Sequence, residues 1–135
     1  MKFTKAKALC LYLELDKNIE EFTQQIIVQG FNEIDRGSYK SVYSKNKLGY
    51  VIKIAHSLND ELAKLPSKLK NLYIKPFYID ERIVIQQKAD TKNSEEARQD
   101  IADLIGQDSC CDYDIWEGNC GYINNKPVIF DFAEV

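Results

Sequence analysis

Along the first thirty residues, apolar side chains recur at helical spacing. Ile19, Phe22 and Ile26 fall three and four residues apart, which predicts one face of a helix. A second helical segment precedes it, with Thr4 placed to cap its start, and Gly30 marks the end of the pair. From Phe31 the pattern changes. Phe31–Asp35, Ser41–Ser44 and Tyr50–Ala55 are short runs rich in β-branched and aromatic residues, separated by polar turn segments. A short helical signal at Asn59–Leu65 is stopped by Pro66, and Tyr73–Tyr78 and Arg82–Gln87 predict two more strands. Five strands with one helix imply an α+β arrangement, an antiparallel sheet with a helix against it.

Ser94 then opens a helix with Glu95 and Glu96 in its first turn. Its apolar stripe is Ala97, Ile101, Leu104 and Ile105, and Gly106 ends it. The last element is a hairpin: Gly121–Ile123 and Pro127–Phe130 flank Asn124, Asn125 and Lys126, so Asn119 and Asp131 are expected to return toward each other.

Composition narrows the class. With 135 residues, 44% hydrophobic and 29% charged, the chain suits a single soluble globular unit. No apolar run reaches membrane-spanning length, and Ala8–Leu13 is shorter than a typical signal-peptide core, so neither a membrane span nor a signal peptide is expected. Cys10, Cys110, Cys111 and Cys120 lack the spacing of a metal site, and His56 is the single histidine. Reduced, inert thiols in a cytoplasmic protein are expected. The net charge of −3 conceals an asymmetry: residues 1–89 carry 15 basic and 10 acidic side chains, residues 90–135 carry 3 and 11. No basic stripe points to nucleic acid. The acidic half is either a solvated face or, in part, a seat for a cation.

Three places carry candidate chemistry. Gly37 and Ser38 lie in a turn between strands, where backbone amides can approach a phosphate. Lys53 sits inside the apolar strand Tyr50–Ala55, on the face shared by Val51 and Ala55; it is either a solvent-facing residue or a positioned cation, with Glu61 as a partner on the following helix. Asp114, Asn119 and Asp131 flank the final hairpin, and oxygen ligands of this kind suit Mg²⁺. Asp131 ends the run Pro127–Phe130, where a carboxylate requires compensation.

Taken in chain order, these pieces resemble the protein-kinase-like superfamily over roughly residues 31–133. Gly37-Ser-Tyr-Lys-Ser-Val42 resembles the end of the glycine-rich loop, Val51-Ile-Lys-Ile54 the lysine-bearing strand, and Glu61 the helix glutamate that pairs with it. Ile83–Asp90 is similar to the strand entering the adenine-binding hinge. Asp114-Ile-Trp-Glu-Gly-Asn119 is closest to the catalytic loop of antibiotic and other small-molecule kinases, and Asp131-Phe-Ala133 resembles the metal-binding Asp-Phe-Gly motif. The resemblance implies a helical extension (1–29), an N-lobe (30–88) with a five-stranded antiparallel sheet and one helix, and a reduced C-lobe (89–135) of a helix and a catalytic-loop hairpin.

It also implies ATP and Mg²⁺ as cofactors. Lys53, held by Glu61, would contact the α/β-phosphates, and Asp114 would orient or deprotonate the acceptor hydroxyl. Asn119 and Asp131 would bind the metal. Gly37, Ser38 and Val42 would lie over the nucleotide, and backbone groups of Gln87, Lys88 and Ala89 would contact adenine. The sequence departs from the family pattern at Asp35 and Lys40, which stand where loop glycines are usual, at Asp112-Tyr113 before the catalytic aspartate, and at Ala133. Since the sequence ends at Val135, helices for a protein substrate are expected to be missing, and a protein partner or self-association is expected to cover that surface. A pseudokinase that binds a partner without transferring phosphate is the alternative.

Overall fold

The computed structural model describes residues 2–36, 40–55, 69, 71–113 and 115–130. They belong to an α+β protein whose chain divides into two compact units, Met1–Asn59 with Pro76–Gln87, and Asp60–Lys75 with Lys88–Val135.

The first unit begins with α1 (Lys5–Glu14) and α2 (Ile19–Val28). Thr4 Oγ1 accepts the Lys7 amide at 3.2 Å, and Asn18 Oδ1 accepts that of Glu21 at 3.1 Å, so each helix starts on a side-chain cap. Both helices end in the same way. Asp16 (φ 54°) and Gly30 (φ 102°) take the left-handed conformation. The Lys17 amide then reaches back to the Tyr12 carbonyl, and the Phe31 amide to that of Ile26, each at 3.0 Å. Phe31 and Ile26 are both buried, which supplies the apolar contact this motif favours.

The sheet contains β1 (Asn32–Arg36), β2 (Lys40–Ser44), β3 (Tyr50–Ala55), β4 (Tyr78–Ile79) and β5 (Ile83–Gln87), all antiparallel, in the order β1-β2-β3-β5-β4. Register fixes which residues share a face: Tyr43 lies opposite Ile52, Ile52 opposite Ile85, and Ile54 opposite Ile83. These side chains join Ala8, Tyr12, Phe22, Ile26 and Phe31 in one buried cluster. The helices of residues 1–29 therefore cover the Tyr50–Ile52–Ile54 face. The helix expected at Asn59–Leu65 lies outside the described residues.

One sequence expectation is corrected in this region. Of Tyr73–Tyr78, only Tyr78 enters the sheet; Tyr73 instead makes an isolated parallel bridge to Ile129. Pro76 interrupts the run, having no amide to donate to a ladder. The β4–β5 connection is closed by Asp80, whose carboxylate accepts the Arg82 and Ile83 amides at 2.8 and 2.9 Å and the Tyr78 hydroxyl at 3.1 Å. Burial pushes this carboxyl up, but the Ile83 and Arg82 amides and the Tyr78 hydroxyl outweigh it and hold its pKa below the usual range.

The second unit contains α3 (Ser94–Ile105), α4 (Gln107–Asp112), a 3₁₀ turn (Glu117–Asn119) and the hairpin β6 (Cys120–Ile123) and β7 (Lys126–Ile129). Asn124 (φ 51°) and Asn125 (φ 65°) form a two-residue left-handed turn that matches the twist of the strands. Asparagine tolerates that conformation because its short polar side chain offsets the strain. The α3 stripe is buried at Ala97, Ile101 and Ile105 as expected, but Ala102 completes it, whereas Leu104 is 59% exposed. The short α4 was not foreseen; six residues are too few to display an apolar period. Among the described residues, no helix is long and apolar enough to cross a membrane.

Replacing Ile52, fully buried at the centre of the cluster, by Ala should cost about 2–5 kcal/mol in urea unfolding; a loss below about 1 kcal/mol would contradict this placement of the core. Asp80 supplies a pH test. Its folded pKa is lowered, so its contribution to stability is present above its ordinary value of 3.8 and is lost as pH falls through the folded value. Thermal melts of wild type and Asp80→Asn should differ at pH 6 and converge on acidification below pH 4; a constant difference would rule out this linkage.

Candidate functional site

Lys53 is the first element of the site that the sheet defines. It occupies the middle of β3, opposite Val42 of β2 and Val84 of β5. The solvent-facing alternative for this side chain is incorrect, because Lys53 is only 3% exposed. Alternation along β3 puts it on the face opposite Ile52 and Ile54, with Val51 and the cross-strand Val42 and Val84. Lysine is almost never buried unless its charge is held by oxygen ligands or an opposite charge. The same face carries two more buried polar side chains, Ser44 and Gln86, each opposite Val51 in the register.

At the end of β5, Gln87 pairs with Tyr50, and the boundary between the two units falls between Gln87 and Lys88. Lys88 is exposed and Ala89 half-buried. The next residue, Asp90, exchanges two backbone hydrogen bonds of 2.9 Å with Tyr122 of β6. Gly121 permits this approach: a Cβ there would lie 2.6 Å from the Asp90 carbonyl oxygen. Tyr122 also donates its hydroxyl to Asp100 Oδ2 of α3 at 2.6 Å, and this bond to a carboxylate, with burial second, pushes its pKa up to about 12.

Asn119 ends the 3₁₀ turn and is 5% exposed. Its Oδ1 accepts the Trp116 amide at 3.2 Å, and its own amide donates to the Trp116 carbonyl at 3.1 Å, closing a ring over residues 116–119. The Phe130 amide donates to the Asn119 carbonyl at 3.0 Å, which continues the hairpin one step beyond the Cys120–Ile129 pair. The expected return of the chain toward Asn119 is thus observed as far as Phe130. Gly118 is explained by sterics, since a Cβ there would overlap the Trp116 indole.

The loop before this turn is held from the helices. The Ile115 amide donates to the Cys110 carbonyl at 2.8 Å. Arg98 reaches from α3, its Nε donating to the Ile115 carbonyl at 3.4 Å and its Nη1 to Gln107 Oε1 at 2.6 Å. Sequence reasoning missed Arg98, Trp116 and Gly118 as positioning residues. Arg98 carried a usable signal: it is the last basic residue before Lys126. The cysteines behave as inert thiols where they are buried. Burial first, then neighbouring Cys110, pushes Cys120 up to about 12, and burial raises Cys110 also. Cys10 and Cys111 are exposed.

Gly37, Ser38, Glu61, Asp114 and Asp131 lie outside the described residues. Of the remaining candidates, Val42 and Lys53 are neighbours across two strands of the first unit, while Asn119 belongs to the second. Among the described residues, no three His, Cys, Asp or Glu side chains are grouped to hold a metal ion. A cleft of about 460 Å³ in the first unit is lined by Thr23, Gln24, Ser41, Tyr43, Ile54 and Arg82 among others, and none of the candidate residues contributes to it. No protein-family model, no curated protein and no solved structure matches the chain.

Removing the Asn119 carboxamide leaves the Trp116 amide without its acceptor. Asn119→Ala should therefore lose about 1–3 kcal/mol of stability and shift the emission of the single tryptophan. An unchanged spectrum together with unchanged stability would remove Asn119 from this positioning role.

Proposed function

We propose that this chain is a minimal kinase-like domain that binds ATP with Mg²⁺ and transfers the γ-phosphate to an acceptor hydroxyl or to itself. The observation that carries the proposal is Lys53, a lysine 3% exposed in the centre of a five-stranded antiparallel sheet. Its cross-strand neighbours are Val42, on the strand β2, and Val84, on the strand that runs to the boundary at Gln87. Those are the surroundings that the kinase-like resemblance implies for a phosphate-binding lysine. A buried ammonium gains most from a polyanionic partner, because its attraction is screened least where water is absent.

In this reading the chemistry is positioning and charge stabilisation. Lys53 holds non-bridging phosphate oxygens, and Glu61 holds Lys53. Gln87–Ala89 present backbone groups to the adenine, and Asp114 takes or orients the hydroxyl proton of the acceptor. Asn119 and Asp131 would hold Mg²⁺, which when bound neutralises charge on the transferring phosphoryl group. In that role the metal would displace the weak 3.8 Å contact of the Cys120 thiol with Asn119 Oδ1, while the Trp116 amide keeps its hydrogen bond to the same oxygen.

The same hydrogen bond favours the second reading, a pseudokinase that binds a partner without phosphate transfer. There the purpose of Asn119 is to close the 116–119 turn, and no metal is required of it.

Calorimetric titration with Mg²⁺–ATP separates these readings. Lys53→Met should weaken binding by about tenfold to a hundredfold, the value of a charge-assisted hydrogen bond. Asp114→Asn and Asp131→Asn should abolish γ-phosphate transfer while the protein remains folded. Absence of nucleotide binding by the wild type would overturn the kinase reading; binding without turnover would leave the pseudokinase.

A further inference from the structure

The cleft of about 460 Å³ in the first unit falls in the size range of small-molecule sites, and none of the nucleotide-binding candidates lines it. One wall is α2. Ile19, Glu20, Thr23 and Gln24 share one side of its first turns, at the three- and four-residue spacing that stacks helical side chains. The other wall is the end of the sheet. Ser41 of β2 lies opposite Ile54 of β3, and the Ala55 amide donates to the Arg82 carbonyl at 2.7 Å, which brings the start of β5 to the same edge. Tyr43 and Ile54 belong to the cluster beneath the helices, so this cleft lies on the face of the sheet opposite to Lys53.

The lining is chemically divided. Ile19, Ile54 and Ala55 supply apolar surface. Two hydroxyls have already committed their protons: Thr23 donates to the Ile19 carbonyl at 2.7 Å, and Tyr43 to Glu33 Oε2 at 3.2 Å. Each therefore meets a ligand as an acceptor. Burial, then the Glu33 carboxylate, raises the Tyr43 pKa and keeps that hydroxyl protonated. Glu20 and Arg82 add one charge of each sign. Among the described residues, no hydrogen bond or ion pair engages either of these side chains. An anion in this cleft meets the Glu20 carboxylate, and a cation meets the Arg82 guanidinium; a molecule that carries both charges satisfies both. Acceptors at Glu20, Thr23 and Tyr43 suit an ammonium, the Arg82 fork suits a carboxylate, and the apolar surface suits an aliphatic side chain. We propose that this cleft binds a free aliphatic α-amino acid. The site is separate from phosphate transfer and serves either reading of the function.

Calorimetric titration of the full chain with L-valine, L-leucine and L-isoleucine tests the assignment. At least one of the three should bind saturably. Its amide, which lacks the carboxylate, and its N-acetyl derivative, which lacks the ammonium, should each bind at least about tenfold more weakly. Arg82→Gln and Glu20→Gln should each weaken the same amino acid by about tenfold while a thermal melt shows the protein folded. No saturable binding by any of the three would overturn the proposal. So would equal binding of the amide or of the N-acetyl derivative, or unchanged affinity in either folded variant.

Discussion

The first unit depends on one apolar contact layer: α1 and α2 lying on the Tyr50–Ile52–Ile54 face of the sheet. Tyr12, Phe22 and Ile26 meet Ile52, Ile54, Ile83 and Ile85 there, and Tyr12 packs edge-on against both Phe22 and Tyr78, with ring centroids 5.1 and 6.4 Å apart. Once that face is committed to the helices, strand alternation leaves Lys53 no choice of side. The lysine must occupy the other face, among Val51, Val42 and Val84. The packing of the N-terminal helices and the burial of a charge in β3 are therefore two consequences of one register. A slip of one residue would place Lys53 in the aromatic and aliphatic cluster and carry Ile52 and Ile54 out of it.

The hydrophobic pattern made most of the fold legible in the sequence. Both N-terminal helices, their Thr4 cap and their Gly30 stop were readable because local capping chemistry coincides with the apolar period. Tyr50–Ala55 was found with its limits intact because β-branched residues fill it. What stayed hidden was tertiary in origin. Periodicity alone cannot distinguish a lysine on a solvated face from one on a second buried face, and Lys53 is of the latter kind. Tyr73 has a strand-like neighbourhood, but its partner is Ile129, fifty-six residues on, which no local signal announces.

The second unit shows the same division. The Asn124–Asn125 turn and its flanking strands were visible as turn chemistry between apolar runs. The residues that orient the loop were not. Arg98 acts through the Ile115 carbonyl and Gln107, and Gly121 through the approach of Asp90; each role exists only once two distant segments meet. Gly118 is a subtler case. Its place in the motif suggested a functional loop, whereas the immediate reason for glycine is the indole two residues earlier.

That observation bears on how the motif should be understood. Gly118 and Asn119 both belong to the Asp114–Asn119 stretch, and both have structural work beside Trp116. A residue with structural work can still carry chemistry, since the hydrogen bonds that fix a side chain also orient it. The two roles make opposite demands only if the turn must open. Asn119 is 5% exposed and its carbonyl is tied to Phe130, so the carboxamide is delivered in one orientation by the hairpin and by the 116–119 ring together. The same four-residue ring thus buries the Asn119 carboxamide while leaving Trp116 more than half exposed.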